Sequence, residues 1–148
     1  MNNNFVSKNY HISTDRSKLN INVIHKFLSE EAYWSKNIPM DVVKKSIENS
    51  FCFGLYYNEE QIGFARLITD YATYAYLADV FILSSHRGKG LGAMLMDEIM
   101  NHPELKNLRR ISLATSDAHG LYEKFGFGPP ERPETLMEIY KPGIYKTE

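Results

Sequence analysis

Leu77-Ala78-Asp79-Val80-Phe81-Ile82-Leu83-Ser84-Ser85-His86-Arg87-Gly88-Lys89-Gly90-Leu91-Gly92-Ala93 reads as a strand, a tight glycine turn and the first residues of a helix. The strand part is apolar on both faces, as a central buried strand is. In the turn, glycines alternate at 88, 90 and 92. That spacing lets successive backbone N–H groups point into one hollow. The following helix adds its free N-terminal amides and the positive end of its dipole. Arg87 and Lys89 add full charges. The whole turn suits a phosphate or pyrophosphate.

Working outward, Phe51 to Tyr57, a turn at Asn58-Glu59-Glu60, and Gln61 to Thr69 predict a β-hairpin. Asp70-Tyr71-Ala72-Thr73 turns the chain into the central strand. Towards the N-terminus, a short strand is expected from about Asn9 to Thr14. Asn20 is positioned to cap a helix carrying Ile21, Ile24, Phe27 and Leu28. After the aromatic connection Tyr33-Trp34, Pro39 opens a second helix with Val42, Val43 and Ile47 on its apolar side. Towards the C-terminus come a helix from about Lys89 to Asn101, a strand from Arg110 to Thr115 and a helix from about Ala118. Gly126 suits a left-handed stop to that last helix. A proline loop and a closing strand, Leu136 to Tyr140, complete the pattern. The order β, α, α, β-hairpin, β, α, β, α, β predicts an α/β (α+β) fold: one mixed sheet with helices on its faces.

A chain of 148 residues predicts a single domain, 1–148, with room for a real core. The net charge of -1 gives no general attraction to nucleic acid or to anionic membranes. One cysteine, Cys52, excludes an internal disulfide and leaves no cysteine cluster for a metal, so no metal is expected. The polar start Met1-Asn2-Asn3-Asn4 has no apolar core of a signal peptide, and no apolar run reaches membrane-spanning length. The expected compartment is the cytoplasm.

The glycine turn admits three readings. A Walker phosphate loop needs lysine and then serine or threonine after its last glycine, and Leu91-Gly92 stands there instead. The dinucleotide fingerprint fits in letters, as Gly88-x-Gly90-x-x-Ala93, between a strand and a helix. It also wants an acid about twenty residues on, where Leu108-Arg109-Arg110 stands. The third reading takes the whole turn. Arg87-x-x-Gly90-x-Gly92 after an apolar strand resembles the pyrophosphate loop of the GNAT family of N-acetyltransferases. His119-Gly120-Leu121-Tyr122-Glu123-Lys124-Phe125-Gly126-Phe127 resembles that family's segment after the fifth strand, where a tyrosine precedes a Gly-Phe pair. The resemblance is strongest from about Phe51 to Phe127.

That resemblance implies a mostly antiparallel sheet whose central strands splay for acyl-CoA. It implies acetyl-CoA as cosubstrate, held by the backbone of Val80, Phe81 and Ile82 along its pantetheine arm. Arg87, Gly88, Lys89, Gly90, Leu91, Gly92 and Ala93 would wrap the pyrophosphate. It implies Tyr122 as the acid that protonates the departing thiolate; the plainer alternative is a helix tyrosine packed on the core. Asp79 lies in an apolar strand, on one face with Leu77, Phe81 and Leu83. A carboxylate there is costly unless paired or used. It is either the base for the acceptor amine or a structural aspartate bonded to backbone or to Tyr74 or Tyr76. His119 is a proton carrier or simply part of a helix start. Tyr33 and Trp34 lie where the family shapes its acceptor site. Arg66 either pairs with an acceptor carboxylate or makes a structural ion pair. No covalent nucleophile with a base stands out, so direct transfer to a primary amine of a small molecule or peptide in a ternary complex is expected. A non-catalytic acyl-CoA sensing module is the alternative. A homodimer is left open.

Overall fold

The computed structural model describes residues 9–146; the start Met1-Asn2-Asn3-Asn4 lies outside them. The sheet grows from the expected hairpin. Its arms are β2 (Phe51–Tyr57) and β3 (Glu60–Thr69), with Asn58 in the left-handed region at the turn (φ 54°). β1 (Tyr10–Ser13) pairs antiparallel with β2, and β4 (Tyr74–Ile82) antiparallel with β3. β5 (Arg110–Ser112) pairs parallel with the first residues of β4. The spatial order follows the chain, β1-β2-β3-β4-β5. Asp70 makes the β3–β4 turn: its Oδ1 accepts the amides of Ala72, Thr73 and Tyr74 at 2.8–3.2 Å. These bonds hold its carboxyl well below the usual carboxylate range.

Helices cover both faces. α1 (Ile21–Lys26) is capped as expected, with Asn20 Oδ1 accepting the Val23 amide at 3.1 Å. It runs on as a π-helical turn over Phe27–Glu31, closed by Ala32 N–H donating to the Phe27 carbonyl at 2.9 Å. α2 (Met40–Glu48) begins just after Pro39. Ile24, Phe27, Leu28, Val43 and Ile47 from these helices pack on Cys52, Phe64 and Phe81 of the sheet. On the opposite face α3 (Leu91–Met100) and α4 (His119–Glu123) set Leu95, Met96, Ile99 and Tyr122 against Phe53, Ala65, Leu67, Ala75 and Leu77. Fully buried side chains such as Phe53 and Phe64 each contribute about 1.5–3 kcal/mol by leaving water.

Two expectations are corrected here. Leu136 to Tyr140 forms no strand; it is an irregular and exposed segment. Its apolar side chains find no sheet neighbour among the described residues. Leu77 and Phe81 do not share a face either, since Leu77 packs towards α3 and Phe81 towards α1 and α2. Between them β4 carries a bulge. Arg66 faces Ala78 and Phe64 faces Phe81, so Asp79 and Val80 together oppose Ala65. Asp79 takes the left-handed conformation (φ 55°) that lets the strand absorb the extra residue.

Candidate active site

Beyond Leu83 the chain makes one 3-10 turn, Ser84–His86, and enters the glycine turn. Gly88 and Gly90 both have φ 78°, a region where an L side chain is strained. A Cβ at either would meet nothing within 4 Å, so their outer side is open space. Gly90 is the N-cap of α3 and supplies no side chain to cap it. The first helical bond runs from Met94 N–H to the Gly90 carbonyl at 3.1 Å. The amides of Leu91, Gly92 and Ala93 precede it and have no intrahelical acceptor. Arg87 folds back to donate from Nε to the Ile82 carbonyl at 2.8 Å, which braces the turn on β4. Lys89 is exposed beside it. Open amides, a helix N-terminus and two cations fit a diphosphate.

β4 then provides a free edge. It pairs with β5 only through Tyr74, Ala75 and Tyr76. From Leu77 to Ile82 it continues as a bulged strand against β3, while the chain beyond Ser112 leaves β5 for an irregular segment. The main-chain groups of β4 on that side, from Val80 to Ile82, therefore face a parting in the sheet, the Ile82 carbonyl being taken by Arg87 Nε. The bulge adds unmade ladder bonds at Asp79–Val80.

The acceptor-side candidates meet at this parting. Asp79 accepts from Trp34 Nε1 at 2.9 Å through Oδ1 and from Arg66 Nε at 2.8 Å through Oδ2. Arg66 Nη1 also donates to Ser50 Oγ at 3.1 Å. The ion pair is nearly buried, with Arg66 and Asp79 side chains 15% and 10% exposed. Thus Arg66 pairs with a carboxylate of its own chain, and Asp79 is held by Trp34 and Arg66 rather than by Tyr74 or Tyr76. Tyr33 stands edge-on to Trp34, ring centroids 5.0 Å apart. Its hydroxyl bonds Ser116 Oγ at 2.7 Å, so the α1–α2 connection is tied to the approach to α4. The π-helical turn sets the direction in which this connection leaves the helix.

Tyr122 closes the opposite side. It is buried on α4, and burial pushes its phenol above the ordinary value of 10.0, with the nearby charges of Asp117 and Tyr33 acting the same way. The Gly-Phe pair beside it has a structural reason. Gly126 ends the helix at φ 97°, and Phe127 N–H returns to the Tyr122 carbonyl at 3.3 Å. The Phe127 ring then packs edge-on to Tyr122 at 6.1 Å. His119, at the start of α4, is exposed. Among the described residues no group of three or more His, Cys, Asp or Glu is placed to hold a metal.

Trp34, Arg66 and Asp79 are thus joined by hydrogen bonds, Tyr33 lies against Trp34 and near Tyr122, and the glycine turn follows the end of the strand that carries Asp79. Sequence reasoning missed Ser50 and Ser116, which orient Arg66 and Tyr33. Single serines beside a strand or helix start carry no periodic or spacing signal, so nothing in the sequence marked them.

Residues 21–127 match the model of the acetyltransferase (GNAT) family. A Gibberella zeae protein provisionally named an acetyltransferase is 32% identical over 142 residues, covering 82% of this chain and 80% of its own. A crystal structure from Xanthomonas campestris pv. campestris, provisionally assigned to the same family, is 54% identical with a TM-score of 0.91. It covers 93% of this chain and 97% of its own. A Clostridium acetobutylicum protein, assigned as an acetyltransferase by prediction and solved with acetyl-CoA, shares the fold at a TM-score of 0.61 and 17% identity, over 89% of this chain and 95% of its own.

Proposed function

The chain belongs to the GNAT acetyltransferase family, and we propose that within it this domain transfers an acetyl group from acetyl-CoA directly to a primary amine of a small molecule or peptide. One observation carries the reading: β4 parts from β5 between an open amide cradle at one end and the Tyr122, Trp34–Asp79–Arg66 grouping at the other. The known fold neighbour solved with acetyl-CoA supports the choice of cosubstrate.

In this reading, Gly88 to Ala93 with Arg87 and Lys89 hold the diphosphate, and the free edge at Val80, Phe81 and Ile82 pairs with the pantetheine arm as an added strand. Unmade amides at the bulge polarise the thioester carbonyl. Tyr33 and Trp34 border the acceptor. Each Asp79 oxygen already accepts one hydrogen bond and keeps a second lone pair, enough to receive the ammonium's proton through a water. The neutral amine attacks the carbonyl carbon, a C–N bond forms and the C–S bond breaks. Tyr122 gives its proton to the leaving sulfur and regains one from solvent. The domain's chief contribution is alignment of the two reactants.

Thiol release from acetyl-CoA across a panel of amines tests this. Tyr122→Phe is expected to lower kcat by about 100-fold, within the usual range for a lost general acid, with KM for acetyl-CoA little changed. Full turnover in the variant removes Tyr122 from the chemistry. Stabilisation of the fold by CoA without thiol release for any amine leaves the sensing module as the function.

A further inference from the structure

The face of the sheet that carries α1 and α2 is only partly covered. Side chains of the two helices pack on Cys52, Phe64 and Phe81. The next row is the Ser50–Arg66–Asp79–Trp34 chain of hydrogen bonds, which borders the covered part. Beyond it, on the same face, Ile68 stands opposite Tyr76, and Tyr74 lies two residues nearer the start of β4. Ala75 and Leu77, on either side of Tyr76, turn the other way into the core under α3. Ile68 and Tyr74 are 45% and 38% exposed, and with Tyr76 they join none of the buried clusters of the described residues. Tyr33 and Trp34 are 56% and 44% exposed. Four aromatic side chains and an isoleucine thus make a partly open shelf beside the Asp79 carboxylate, and an apolar patch of that kind marks a place where something binds.

Resting on the amine-transfer reading above, we propose that this shelf holds the carbon body of the acceptor and selects amines that carry a flat aryl group a short link away from the nitrogen. Three observations select that occupant. The first is charge. The acids Asp79 and Glu138 and the cation Arg66 all reach Tyr76, and Arg110 stands opposite Tyr74 on β5. Two acids and two cations balance, so the shelf does not favour a second ammonium or a carboxylate on the acceptor. What it offers is ring surface, which takes another ring by offset or edge-on contact. The second is reach. Tyr76 and Asp79 are three positions apart on β4, at most about 10 Å along the strand, and the bulge shortens the path. A ring two carbons from a nitrogen at Asp79 covers most of that length. The third is stiffness. Trp34 is fixed by its bond to Asp79 and Tyr33 by its bond to Ser116, so a rigid guest meets a rim already in place.

Thiol release from acetyl-CoA is measured with 2-phenylethylamine, ethylamine and 1,4-diaminobutane. The kcat/KM for 2-phenylethylamine is expected to exceed that of either other amine by about tenfold or more. Tyr76→Ala is expected to remove most of that preference, and Ile68→Ser, at a more exposed position, to reduce it. The affinity of each variant for CoA reports whether its fold is kept. Trp34, the chain's single tryptophan, gives a second readout that needs no turnover. Titration with 2-phenylethylamine is expected to shift its emission to saturation, and more weakly in both variants. Equal efficiency with all three amines, or a preference that survives both substitutions, overturns the shelf and leaves amine transfer standing. Absence of thiol release with every amine removes the transfer reading; the Trp34 titration then decides the shelf, which falls unless the shift appears and weakens in the variants. Substitutions that alter the molecular mass in solution and not the selectivity assign the face to a second copy and overturn the proposal.

Discussion

At the scale of single residues, Asp79 holds two duties that one substitution separates. Its carboxylate receives Arg66 and Trp34, and its backbone occupies the left-handed region at the bulge. Asn tolerates that backbone almost as well as Asp, so Asp79→Asn changes the charge and spares the bulge. With Arg66 left unpaired, stability is expected to fall by about 1–3 kcal/mol in denaturant titration. If Asp79 takes the amine's proton, the acid limb of the pH–rate profile disappears as kcat falls; if it only positions Trp34 and Arg66, kcat falls while the profile keeps its shape. A second residue prediction concerns Gly54. A Cβ there would run into the ring and hydroxyl of Tyr56, itself buried. Gly54→Ala is expected to cost about 1–3 kcal/mol, as overpacking does, measured by thermal or urea unfolding. The helix end beside Tyr122 was legible because the Gly126-Phe127 pair marks it. The bulge at Asp79 was not, because the turn-forming signal of a glycine is absent there and a strand apolar on both faces carries no alternation for a bulge to interrupt.

At the scale of elements, the turn between β4 and α3 was the best-marked piece of the chain. Glycines are demanded where φ is positive, and Gly88 and Gly90 meet that demand. Leu91, Leu95 and Ile99 recur at helical spacing, and all are buried. Gly90→Ala tests what the turn is for. The left-handed backbone costs an L residue about 1–2 kcal/mol, while the added methyl meets no protein atom. A modest loss of stability is therefore expected together with a rise of about tenfold or more in Kd for CoA, read by calorimetry. A turn with no ligand would show only the stability loss. The expected closing strand failed for a different reason. A short apolar run says that a segment can be buried; it does not say what covers it. Leu136 to Tyr140 has the pattern and lacks the neighbour.

At the scale of the whole molecule, both faces of the sheet are sealed by packing that holds Cys52 out of water, and burial pushes its thiol up from 9.0 to about 11 against the opposing pull of Arg66 and Arg16. Below pH 9 both folded and unfolded chains keep this proton. From pH 9 to about 11 the unfolded chain gives it up and the folded chain retains it, so stability falls as pH rises through that window. Cys52→Ala is expected to flatten that decline, measured as denaturation midpoint against pH. Composition and periodicity were enough to place helices on both sides of a mixed sheet. They were silent on how the two sides communicate, because that depends on a handful of side-chain bonds. One link is set by winding. The first helix carries a single surplus residue in its last, wider coil at Phe27–Glu31. Removing one codon there would restore ordinary winding and swing everything downstream by about 100°, aiming the indole away from its carboxylate. A shortened chain of that kind would disturb the seating of Phe27 and Leu28 and lose the bond between Trp34 and Asp79.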